Sequence, residues 1–246
     1  MFAFFACGPS PERIESAEVS FRVARQFYSK NDIPQALTHA LKSRDADPKN
    51  AEVHNFLGLI YFQRNDKREA EKSFKKAVKL DPNFAEAHNH LCLVMIENSE
   101  YNEGIEHCKK ATESILYPTP ERAYHNMGLG YERKGEVGKA IAAYKKGLGY
   151  NKKFVMSLRA LGNIYVKDKK YFEAIKPLED GAKICRESPK GIWGSECPET
   201  LYLLAMTYVE LKKRHEAITA LESCLEYSES NLEIQKKCQT SLRAYK

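Results

Sequence analysis

The sequence holds little that a catalyst needs. Its 246 residues contain no GxSxG, no GxxxxGK followed by Ser or Thr, no HExxH and no GxGxxG. Nucleophile-elbow hydrolases, P-loop enzymes, HExxH metalloproteases and dinucleotide enzymes therefore find no signature here. No CxxC pair occurs, and the 7 histidines do not flank the cysteines at ligand spacing, which argues against a zinc site. No apolar run approaches the ~20 residues that a membrane-spanning helix needs. The net charge of +6 is modest, and doublets such as Lys75-Lys76 and Lys145-Lys146 read as solvated helix faces. Without a basic stripe carrying stacking aromatics, nucleic-acid binding is not expected. Neither an enzyme nor a cofactor is expected.

What the sequence has is periodicity. Between Ala51 and Phe84, apolar residues fall at Val53, Phe56, Leu57, Ile60 and Tyr61, a helical stripe. After a polar turn from Gln63 to Lys67, a second stripe runs through Ala70, Phe74, Ala77, Val78 and Leu80, and Asp81-Pro82 stops it. Small residues at Gly58, Ala70 and Ala77 let two antiparallel helices approach closely, so the stretch predicts a helical hairpin.

The spacing Leu57, Gly58, Tyr61, Ala70, Phe74, Ala77, Pro82 resembles the tetratricopeptide repeat, with His54 where that repeat carries tryptophan. Thirty-four residues upstream the same places hold Val23, Ala24, Phe27, Ala36, Ala40, Ser43 and Pro48. Downstream they return as Leu91, Cys92, Met95, Gly104, Cys108 and Ala111, then Met127, Gly128, Tyr131, Ala140, Tyr144 and Gly147. Two further copies read Leu161, Gly162, Tyr165, Ala174, Leu178, Gly181 and Leu204, Ala205, Tyr208, Ala217, Leu221, Cys224. Gly128-Leu129-Gly130 therefore belongs to a packing signature rather than a phosphate loop. The resemblance implies an all-α, right-handed superhelical solenoid of six hairpins, 17–50, 51–84, 85–118, 121–154, 155–188 and 198–231, closed by a capping helix over 232–246. His54, His88, His90 and His125 lie on first helices and are expected as core or boundary residues.

The N-terminus, Met1 to Ala6 followed by Cys7-Gly8-Pro9, resembles the end of a bacterial lipoprotein signal, with Cys7 as the lipidated residue. It has no basic n-region, its apolar part is short, and Phe4 stands where leucine is usual. In that reading 1–16 is a signal remnant and tether. Gly8 in place of aspartate after Cys7 points to the periplasmic face of the outer membrane, and diacylation gives stable anchoring. The other six cysteines permit fifteen connectivities. The repeat register places Cys92 opposite Cys108, Cys185 and Cys197 bracket an insertion containing Trp193, and Cys224 with Cys238 would tie the last repeat to the cap. The alternative is that these thiols simply fill space.

By resemblance, such solenoids bind partners on the face built by the first helix of each hairpin. The matching positions are Phe21, Arg25 and Tyr28; Asn55, Leu59 and Phe62; Asn89, Leu93 and Ile96. They continue as His125, Leu129 and Glu132; Arg159, Asn163 and Val166; Tyr202, Met206 and Val209. An apolar groove is expected, suited to an amphipathic segment of a protein partner. The lysine-and-asparagine carboxylate clamp of chaperone-binding relatives is missing. Repeat number, length and Cys7 together resemble the type IV pilus pilotins, the PilF/PilW/Tgl group. That resemblance implies a monomeric outer-membrane lipoprotein that promotes insertion and multimerisation of the secretin PilQ. Two alternatives remain: a periplasmic adaptor for a cell-wall enzyme, and a cytoplasmic co-chaperone.

Overall fold

The computed structural model describes residues 9–189, 192–228 and 231–246; Cys7, the expected lipidation site, lies outside them. The described residues form thirteen α-helices and no strand. They fall into two compact units divided between Pro118 and Thr119. The first holds α1 (Pro11–Ser29), α2 (Ile33–Ala46), α3 (Ala51–Gln63), α4 (Lys67–Leu80), α5 (Ala85–Glu97) and α6 (Tyr101–Glu113). The second holds α7 (Pro120–Arg133), α8 (Val137–Tyr150), α9 (Val155–Lys167), α10 (Tyr171–Glu187), α11 (Glu196–Glu210), α12 (Arg214–Tyr227) and α13 (Leu232–Tyr245). In each unit consecutive helices pair into hairpins and the hairpins stack.

One device closes every hairpin. Asn31, Asn65, Ser99, Gly135, Lys169 and Lys212 sit at equivalent places with φ between 57° and 78°. The residue after each donates its N–H to the carbonyl five positions back, as Asp66 does to Tyr61 at 2.9 Å and Glu100 to Met95 at 2.8 Å. This left-handed step satisfies carbonyls that the helix end would leave orphaned and reverses the chain. Asp32 and Asp66 then cap the following helices, accepting from the N–H groups of Gln35 and Glu69.

The core of each hairpin is a volume exchange between two facing places. A Cβ on Gly58 would fall on the ring of Phe74, one on Gly128 on Tyr144, and one on Gly162 on Leu178. The third hairpin fills the same pair of places with a disulfide, Cys92–Cys108, across a Cα separation of 5.2 Å. Two more disulfides, Cys185–Cys197 and Cys224–Cys238, join α10 to the start of α11 and α12 to α13.

The tether expected over the residues before Ala17 is not extended chain. Helix α1 begins at Pro11, because the Ser10 hydroxyl accepts from the Arg13 N–H and proline suits a first turn. Arg13 also donates to the Asp45 carbonyl at 2.8 Å, holding this early turn against the end of α2. At the other end, α13 buries Ile234 and Cys238 in the core shared by α10, α11 and α12.

Candidate protein-binding face

Each unit carries its own first-helix face, built by α1, α3 and α5 in the first and by α7, α9, α11 and α13 in the second. Neighbouring first helices lie side by side, so the residues aimed between them lose their exposure. This corrects four of the expected groove positions: Asn55, Asn89, Ile96 and His125 are all buried. The His90 Nδ1 donates to the Asn55 Oδ1 at 2.9 Å, a bond from α5 to α3, and His125 bonds Ser157 across to α9 at 3.1 Å. Burial beside the Arg159 charge pulls His125 down to about 4, so it packs as a neutral ring against Tyr144 and Phe154.

The remaining positions are half-buried, apart from Arg25, which is exposed. Phe21 and Tyr28 both set ring edges on Phe56, and the Arg25 guanidinium lies 5.8 Å from the Phe21 ring centre. Leu59 and Phe62 lean on the core of α4 and α5. Leu93, Leu129, Asn163, Val166, Tyr202 and Met206 each keep part of their surface open. None of the exposed large apolar side chains among the described residues belongs to this set. The face is therefore a shallow, partly apolar surface rather than a deep oily groove.

Two concavities shape it. In the first unit a cleft of about 850 Å³ brings Phe21 and Arg25 together with Arg22, Glu52 and Phe84. Sequence reasoning missed Phe84; its place in the Pro82-Asn83-Phe84 turn, just before α5, was the available signal. In the second unit a smaller hollow of about 240 Å³ joins Arg159, Asn163 and Tyr202 to Glu233 and Lys237 of α13. The terminal helix thus adds to the first-helix face as well as covering the core. Arg159 is already engaged: it forks onto Glu196 at 2.8 and 3.2 Å and reaches Glu199 at 3.0 Å. Such a bidentate pair orders the start of α11 and leaves the guanidinium little capacity for a partner's carboxylate.

His54, His88 and His107 are structural. His54 and His88 donate from Nε2 to the carbonyls of Pro48 and Pro82, both at 3.0 Å, and so fix each hairpin to the turn before it. With Nε2 protonated, the neutral His88 can only accept at Nδ1, so the Nδ1 of His107, 2.8 Å away, must be the donor. Burial, with His88 and the lysines nearby adding to it, holds His107 at about 4. Among the described residues no group of three or more potential metal ligands converges.

Comparison with known proteins places this architecture. Tetratricopeptide-repeat family profiles match residues 51–84, 121–154 and 198–231. No curated protein matches the sequence. Among solved structures, PilW, a widely conserved type IV pilus biogenesis factor, superposes with a TM-score of 0.76 at 20% identity, over 90% of this chain and 97% of that one. PilF of Pseudomonas aeruginosa gives 0.74 at 17% identity, over 94% and 99%. MamA is 27% identical over 70% of this chain and 93% of its own, with a TM-score of 0.59. Three of the hairpins thus match tetratricopeptide repeats, and in fold the chain is a solenoid of such hairpins that resembles PilW and Pseudomonas aeruginosa PilF over nearly their whole lengths.

Proposed function

We propose that this protein is a pilotin-type assembly factor of the type IV pilus machine, lipid-anchored through Cys7 at the periplasmic face of the outer membrane. Its first-helix face would hold an amphipathic, membrane-inserting segment of the secretin PilQ until the secretin multimerises. One observation carries the reading: the superpositions on PilW and PilF cover 90% and 94% of this chain and 97% and 99% of theirs. The three disulfides support an oxidising compartment such as the periplasm. They weigh against the cytoplasmic co-chaperone, which needs neither a disulfide nor the lipoprotein-like start.

The half-open leucines Leu59, Leu93 and Leu129 are the apolar contacts, with exposed Arg25 at the rim. Leu59→Glu, Leu93→Glu and Leu129→Glu, and separately Arg25→Glu, should abolish detergent-resistant secretin multimers in cells while the purified variants keep wild-type helical circular dichroism. Arg25→Glu guards against loss by unfolding, since its side chain supports no core. Normal multimers in both folded variants would overturn the reading, and capture of a cell-wall hydrolase in place of the secretin would favour the adaptor alternative.

A further inference from the structure

The second helices carry a feature that the first-helix face does not explain. Helix α4 is strongly amphipathic: its inner side places Ala70, Phe74 and Ala77 in the core, and its outer side is rich in lysine. Between α4 and the end of α2 lies a cleft of about 450 Å³. Its floor is formed by His54, Leu57 and Tyr61 of α3. Its walls carry Lys72, Lys75, Lys76 and Lys79 from α4 and Arg44 from α2, against a single lining carboxylate, Glu69.

These charges are only partly answered. Lys75 pairs with Glu71 at 2.6 Å, Arg44 with Asp45 at 2.7 Å, and Lys72 reaches Glu69 at 3.5 Å. Lys76 and Lys79 have no ion pair among the described residues, and both are exposed. The field extends to the floor: after burial, Lys76 and Arg44 lower the His54 pKa, opposing the raising effects of its bond to Pro48 and of the Asp47 carboxylate. The corresponding outer cleft of the second unit behaves differently. There Lys176, Lys183 and Arg186 are offset by Glu179, Asp180 and Glu216, so the excess of positive charge in the first unit's cleft is not repeated there.

We infer that the cleft between α2 and α4 is a docking site for an acidic peptide segment that carries one large apolar side chain. The lysines would meet its carboxylates, and the floor around Leu57 and Tyr61 would take the apolar anchor. A recessed apolar floor inside a ring of cations fits a peptide with both features. A flat anionic bilayer could touch the lysines but would leave the floor unfilled. Lysine, as a mobile point charge, suits carboxylates spaced along an extended chain better than a fixed bidentate contact. The site is separate from the proposed secretin face, so either can fail while the other stands.

The test uses the whole chain and a fluorescein-labelled peptide, Glu-Glu-Glu-Phe-Glu-Glu-Glu, followed by anisotropy at low salt. Saturable binding is expected. Lys76→Glu with Lys79→Glu should weaken it at least about tenfold, while Lys145→Glu with Lys146→Glu, the same change in net charge on repeat four, should shift it less than about twofold. Replacing the central Phe of the peptide by Gly should weaken binding by about tenfold as well. Equal loss in the two double variants, indifference to the Phe, or binding only to vesicles of anionic lipid would each overturn the inference.

Discussion

At the scale of single residues, the chain spends conformational strain at six equivalent places and relieves it at few. Glycine occupies the left-handed step only at Gly135; asparagine, which tolerates it, stands at Asn31 and Asn65. Ser99, Lys169 and Lys212 adopt the same backbone with side chains that disfavour it. Lys169→Gly should therefore stabilise the protein by roughly 0.5–1 kcal/mol, because the strain removed outweighs the extra freedom gained by the unfolded chain. Chemical denaturation would read it as a raised urea midpoint at unchanged slope, and a lowered midpoint would show that Lys169 is unstrained. The facing pairs also belong to this scale. Ala24 with Ala40, Gly58 with Phe74 and Cys92 with Cys108 are three solutions to one spacing problem. The disulfide of the third hairpin takes the place of a ring packed on a glycine.

At the scale of elements, the hairpins were legible in the sequence because their signal is local. The turn Gln63 to Lys67 is visible in its polarity, and α3 and α4 end and begin within it. The start of α13 at Leu232 follows the Asn231 cap, whose side chain accepts from Glu233 and Ile234. What stayed hidden were contacts between elements far apart in the chain. Arg159 reads as a groove arginine until the insertion is seen to return Glu196 and Glu199 beside it. Asn55 reads as a groove position until His90, one repeat later, takes its side-chain oxygen. Repeat arithmetic says which residues share a face but not how tightly adjacent faces close. Helix α13 gives an element-scale prediction. Ile234→Ala should cost about 2 kcal/mol by leaving a gap in the terminal core. Amide exchange should quicken in α13 before it does in α11, although the Cys224–Cys238 bond keeps the helix attached. Uniform quickening across both helices would mean that α13 does not unfold on its own.

At the scale of the molecule, buried neutral histidines make stability depend on pH. His107 and His125 are each held at about 4, and His54 and His88 are shifted in the same direction, in every case first by burial. A folded pKa below the unfolded value of about 6.5 means that the unfolded chain binds more protons in between. The stabilisation is therefore complete above about pH 6.5 and drains away as pH falls toward 4. For His125 alone the difference amounts to something on the order of 3 kcal/mol. Urea midpoints should drop steeply between about pH 7 and pH 4.5, and His125→Gln, less stable at neutral pH, should show a shallower drop. Parallel curves would remove His125 as a source of acid sensitivity.

The join between α10 and α11 has one more consequence. Cys185 and Cys197 stand 5.5 Å apart at Cα, so the two helices meet at a fixed point whatever chain lies between them. The ends of the bracketed segment are held as well, by the Trp193 ring packed beside the bridge and by Glu196 on Arg159. With those ends kept, a foreign peptide spliced between Pro189 and Ile192 would leave the phase of the hairpins on either side unchanged.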